Sequence, residues 1–125
     1  MKGDYDRAAD RQMVAAAALL GGLAVILGAF GAHALKARLG NEALGWWQTG
    51  VQYQMWHALA VLAIALWDER WARLPARLLA GGALLFAATL YAMALGGPRW
   101  LGAVTPVGGL AMIAGWGLLA FRAVR

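Results

Sequence analysis

The chain has 125 residues, 62% of them hydrophobic and 14% charged, with a formal net charge of +5. Soluble domains average about 45–50% apolar and 25% charged residues, so this is a membrane composition and not that of a water-exposed globule. With no cysteine and no serine the chain has neither a disulfide nor the commonest nucleophiles, and its eleven Lys and Arg lie between apolar runs, where they set topology and do not form a nucleic-acid face.

The first span is expected over about residues 12–35. No charge interrupts the run between Arg11 and Lys36, and it exceeds the ~20 residues that cross a bilayer core. It is also longer than the h-region of a cleaved signal peptide, about 7–15 residues, so it is expected to be retained although "AHA" at Ala32 to Ala34 imitates a cleavage site. Ala17, Gly21, Ala24, Gly28 and Gly31 recur at steps of four and three and give this helix a small-residue face. Such a seam reads either as a homo-oligomer interface or, more commonly, as packing within one bundle.

The second span, about 43–67, starts early. Asn41 is a candidate cap, and the proline-free run "EALGWWQTGVQYQMWHALAVLAIALW" is ~40 Å long as a helix. The third span, about 78–97, follows Pro75 and ends at Pro98, with Ala88, Ala92 and Gly96 as its small residues. The fourth, about 102–121, offers Gly108, Ala111 and Gly115, and carries Pro106 about one turn in, as a kink or with Gly102 to Thr105 as a re-entrant lead-in.

Basic residues concentrate in the N-terminal tail (Lys2, Arg7, Arg11), the loop between spans two and three (Arg70, Arg73, Arg77) and the C-terminal tail (Arg122, Arg125). That bias places both termini in the cytoplasm. Trp67 and Trp71 would mark the inner interface and Trp46, Trp47 and Trp100 the outer one. The expected fold is therefore all-α: a single polytopic domain over residues 1–125, a four-transmembrane-helix bundle.

Polar residues are distributed unequally in depth. Counting from Asp68, Arg77 and Arg122, His57 lies ~16 Å from the inner boundary, Thr89 ~18 Å, Gln54 and Tyr91 ~21 Å, Tyr53 ~22 Å, Gln52 ~24 Å and Thr105 ~25 Å, with His33, Gln48 and Thr49 farther out. Apart from Gln12 at its edge, the cytoplasmic half holds no Thr, Gln, Asn, His or Tyr. A polar group facing hydrocarbon costs several kcal/mol unless paired. The expectation is an outer-half cluster of His33, Gln52, Tyr53, Gln54, His57, Tyr91 and Thr105, fed by all four helices.

The blocks "GAFGAHAL", "WQTGVQYQMWHALA", "LFAATLYAMAL" and "LGAVTPVGGLAMIAGW" resemble, in order and spacing, the YgdD/YwdK-like family of small bacterial membrane proteins, whose relatives extend to a eukaryotic transmembrane protein. The resemblance covers nearly the whole chain. It implies a four-helix integral membrane protein, multi-pass in the bacterial inner membrane, and it does not imply an activity, since that family is a domain of unknown function. The blocks contain every residue of the expected cluster.

Two histidines make an incomplete metal or haem site, and no cofactor is expected. Without a Ser or Cys nucleophile or a pair of intramembrane carboxylates, the chain is not expected to be an enzyme. The favoured reading is non-enzymatic binding of a lipid or small lipophilic ligand, or an accessory role in a membrane complex, with membrane lipid as the partner. The alternative is an oligomeric channel or transporter, in which the apolar half would act as a dewetting gate.

Overall fold

The computed structural model describes residues 3–125, so Lys2 of the N-terminal tail lies outside the described residues. Helix α1, Asp4–Phe30, begins after an extended Gly3, with Asp4 and Asp6 in its first turn, where carboxylates favour the positive end of the helix dipole. It passes without a break into a π-helical turn, Gly31–Leu35. Helix α2 is Asn41–Trp67. Its cap is Gly40, whose carbonyl accepts from Leu44 N–H at 3.0 Å, and Asn41 is already helical with no capping bond from its side chain.

Helix α2 stops at Asp68, a left-handed residue (φ 74°) whose N–H returns to the Ile64 carbonyl. A single 3₁₀ turn, Arg70–Ala72, leads into α3, Arg73–Ala94. Pro75 sits in the first turn of α3, where the missing N–H would have had no helical partner. The helix ends at Ala94, before Pro98. Gly96 turns left-handed (φ 94°), and Gly97 N–H bonds back to the Ala92 carbonyl at 2.8 Å. Helix α4, Leu101–Ala123, contains Pro106, so Gly102 to Thr105 form its regular first turn and not a re-entrant segment.

The helices alternate in direction. Asp6 and Asp10 near the start of α1 meet Arg73, and Arg122 at the end of α4 donates to the Trp71 carbonyl at 2.9 Å. One end of the protein thus gathers the start of α1, the α2–α3 connection and the end of α4.

Helices α2 and α3 form the central pair, α1 packs mainly along α2, and α4 packs mainly along α3. The α1 seam is used inside the chain: Ala17, Ala24 and Gly31 are buried, and Gly21 and Gly28 face Ala58 and Val51 of α2. On α3 the small residue that matters is Gly82, while Ala88 is exposed. A Cβ on Gly82 would stand 2.8 Å from the Gly108 carbonyl oxygen, and one on Gly108 would stand 2.6 Å from Phe86 N, so α3 and α4 touch backbone to backbone. Without water to expel, this close approach is what holds two apolar helices together in lipid.

Large apolar side chains such as Leu19, Ile26, Leu59, Leu84, Leu110 and Ile113 point outward. Three stretches among the described residues, Asp4–Leu35, Arg70–Ala94 and Leu101–Ala123, are long and apolar enough to cross a membrane. Helix α2 is as long, with 27 residues, but carries Gln48, Gln52, Gln54 and His57.

Candidate functional site

Near the termini the core is wholly apolar: Met13, Ala17, Val61, Ile64, Ala65, Ala72, Ala76 and Leu79. The hydrogen-bonded Gln, His, Tyr and Thr side chains occupy the other half. They do not meet in one interior, because α1 and α4 flank the central pair and share no substantial packing. Three separate networks form instead.

The first ties α1, α2 and α3 together. Buried Gln54 donates through Nε2 to the Leu20 carbonyl at 2.7 Å and accepts the Tyr91 hydroxyl at Oε1 over 2.8 Å. Tyr91 lies against Trp47, ring centroids 4.6 Å apart, and the Trp47 indole donates to the Leu27 carbonyl at 2.8 Å, just ahead of the π turn. The two rings fit notches left by glycines. A Cβ on Gly31 would fall 2.6 Å from Trp47 Cδ1, and one on Gly50 would fall 2.8 Å from Tyr91 Cε1. Trp47, expected at the outer interface, is therefore a core residue with 3% exposure, whereas Trp100 is exposed.

The second joins α2 to α4. The Trp116 indole donates to His57 Nε2 at 3.1 Å, and His57 Nδ1 lies 2.8 Å from the Tyr53 carbonyl. An indole N–H only donates, so Nε2 must be the lone-pair nitrogen and Nδ1 must carry the hydrogen. The Tyr53 ring stacks on the imidazole at an interplanar angle of 9° and also contacts Phe86 of α3. With both nitrogens engaged, His57 offers no lone pair to a metal in this arrangement.

The third joins α3 to α4: the Thr89 and Thr105 hydroxyls are 2.7 Å apart, and each also donates within its own helix, Thr105 to the Leu101 carbonyl and Thr89 to those of Leu85 and Phe86. A hydroxyl carries one hydrogen, so these bonds are shared between alternative rotors.

Of the seven expected cluster residues, Gln54 and Tyr91 fall in the first network, His57 and Tyr53 in the second and Thr105 in the third. His33 and Gln52 join none of them. His33 is exposed on the π turn, and Gln52 is exposed on α2. Gln52 instead lines a groove of about 390 Å³ between α1 and α2, together with Gly28, Gly31, Ala32, Trp47 and Gln48. Trp47 and Trp116 were missed as polar partners. The signal for Trp116 was present in its position, since an indole N–H several residues inside a span must find an acceptor.

Residues 27–109 match the family described as "Protein of unknown function (DUF423)". The chain is 43% identical over 119 residues to the inner membrane protein YgdD of Escherichia coli, covering 92% of this chain and 91% of the relative. It is 44% identical to a membrane protein of Haemophilus influenzae (86% and 90% covered) and 39% identical to the membrane protein YwdK of Bacillus subtilis (82% and 88% covered). No solved structure matches it. With relatives so similar over most of their length and its own apolar helices, the chain belongs to the DUF423 family and is a multi-pass protein of the bacterial inner membrane.

Proposed function

We propose that all four helices span the membrane with both termini in the cytoplasm, and that the protein is a non-enzymatic binder of a lipid or small lipophilic ligand in its outward half. The observation that carries this reading is the groove beside Trp47. Gln48 and Gln52 line it, one turn apart on α2 and both exposed. Gln52 lies ~24 Å from the inner boundary, still at hydrocarbon depth, and Gln48 one turn farther out at the edge of the span, so the Gln52 amide needs either water or a polar group on a bound molecule. A volume of about 390 Å³ suits a small ligand or a lipid segment. The buried Gln54, His57, Thr89 and Thr105 of this half, by contrast, are already hydrogen-bonded to side chains or backbone carbonyls of the bundle, which suits them to holding the helices and not to binding.

An accessory role in a membrane complex would use the same groove, with a partner's side chain as the occupant. The test is extraction and mass spectrometry of the purified full chain. Wild-type protein is expected to retain a lipophilic molecule that Gln48→Leu/Gln52→Leu and the groove-filling Ala32→Phe both release, without change in thermal stability. Identical retained molecules in all three proteins would overturn the reading. A symmetric oligomer that conducts ions in liposomes would favour a channel instead.

A further inference from the structure

At the end that gathers the start of α1 and the end of α4, a second groove of about 550 Å³ runs between the first turns of α1 and the last turn of α2. Arg7, Arg11, Val14 and Ala15 line one wall, and Leu66 and Asp68 belong to the other. Residues 7, 11, 14 and 15 share one face of a helix, so along α1 two guanidinium groups about 6 Å apart in rise give way to an apolar surface deeper in. Arg11 is also the last charge before the first apolar run, which puts this change at the membrane surface.

Among the described residues Arg7 is ion-paired with Asp4 alone, whose side chain is 97% exposed, and a surface pair of this kind contributes little. Asp10, also on the groove, is ion-paired with Arg73 at 3.2 Å. The order of chemistry, cationic outside and apolar inside, matches a phospholipid: a phosphate outermost and acyl methylenes below it. Arginine forks suit phosphodiester oxygens, which they can take two at a time. The acidic side chains on the same rim disfavour a headgroup with several negative charges.

We propose that this groove holds one glycerophospholipid with a single phosphate, the phosphate on Arg7 and Arg11 and the first acyl methylenes against Val14, Ala15 and Leu66. The site is independent of the groove beside Trp47. The apolar lower wall distinguishes a lipid from a free phosphate ion, for which it has no use.

The experiment is native mass spectrometry of the full chain released from nanodiscs of phosphatidylethanolamine and phosphatidylglycerol. Wild-type protein is expected to keep one phospholipid at this groove, counted apart from any molecule that Ala32→Phe releases from the groove beside Trp47. Arg7→Gln/Arg11→Gln should lower its occupancy at least about tenfold, as loss of charge-assisted hydrogen bonds implies. Arg7→Lys/Arg11→Lys should fall between, because charge is kept and the fork is lost. Ala15→Phe, at an exposed position in the groove, should expel the lipid with both arginines intact, while Ala32→Phe at the opposite end should not. No lipid on the wild type, or equal occupancy in every variant, overturns the proposal. Loss in the arginine variants but not in Ala15→Phe, with displacement by inorganic phosphate, would make the occupant a phosphate ion and also overturn it.

Discussion

Gly31 of the π turn that follows α1 and Trp47 of α2 are fitted to one another: the indole lies where the glycine's missing side chain would be, and its N–H reaches the Leu27 carbonyl at 2.8 Å. A methyl at Gly31 would overlap the ring, at 2.6 Å from Cδ1 and 2.7 Å from Nε1. The ring is itself wedged against Tyr91, so it cannot simply step aside. Gly31→Ala is expected to cost about 1–3 kcal/mol, the usual cost of overpacking. Its thermal transition in detergent should drop accordingly, and Trp47→Ala in the same background should relieve the clash, giving a cost below the sum of the two single changes.

Gln54 links three helices through two bonds, to Leu20 and Tyr91. In a membrane such side-chain bonds are worth about 0.6 kcal/mol on average and at most about 1.7. A double-mutant cycle of Gln54→Leu and Tyr91→Phe should give a coupling of that size. A coupling of zero would mean that the amide and phenol do not bond in the folded protein.

The imidazole of His57 is expected to carry its hydrogen on Nδ1, because the Trp116 indole leaves Nε2 only the acceptor role. Nitrogen-15 NMR of the labelled side chain should show a protonated Nδ1 and an unprotonated Nε2. Trp116→Phe removes the donor and should shift the Nε2 resonance while leaving the Nδ1 bond to Tyr53 in place. The reverse tautomer would contradict the Trp116 contact.

Asp6, ahead of the first apolar run, accepts hydrogen bonds from Arg73 and Arg70, which hold its carboxyl down at about 2 from an ordinary 3.8. A depressed carboxylate stabilises the folded state above its unfolded pKa, and that contribution fades as pH falls toward the folded value. Asp6→Asn should therefore lower the melting temperature by a constant amount above about pH 4, and the gap to wild type should close between about pH 4 and 2. Arg73, which bridges Asp6 and Asp10, should show the same pH window when replaced by Gln.

Depth and facing explain how much of this was legible in the sequence. The apolar runs and their charged boundaries follow from composition, and the uneven distribution of Gln, His, Tyr and Thr between the two halves follows from counting residues along helices. Both depend only on what each residue costs in hydrocarbon. The seam of Ala17, Gly21, Ala24, Gly28 and Gly31 was also readable, since helical spacing alone puts those residues on one face.

Pairing was not readable, because it depends on how the helices are arranged around one another. A single shared polar interior required α1 and α4 to meet. The close Gly82–Gly108 contact fixes α4 on α3 instead, and the polar residues divide accordingly among three interfaces. Trp47 shows the same limit: sequence supplies an indole near the end of a span, where lipid headgroups would suit it, but the notch at Gly31 and the carbonyl of Leu27 offer a drier and better-matched place. Which half of the molecule is polar follows from the order of residues, because burial cost acts residue by residue. Which donor meets which acceptor follows from the packed helices, because it depends on the angstrom-scale approach of backbones that no single helix controls.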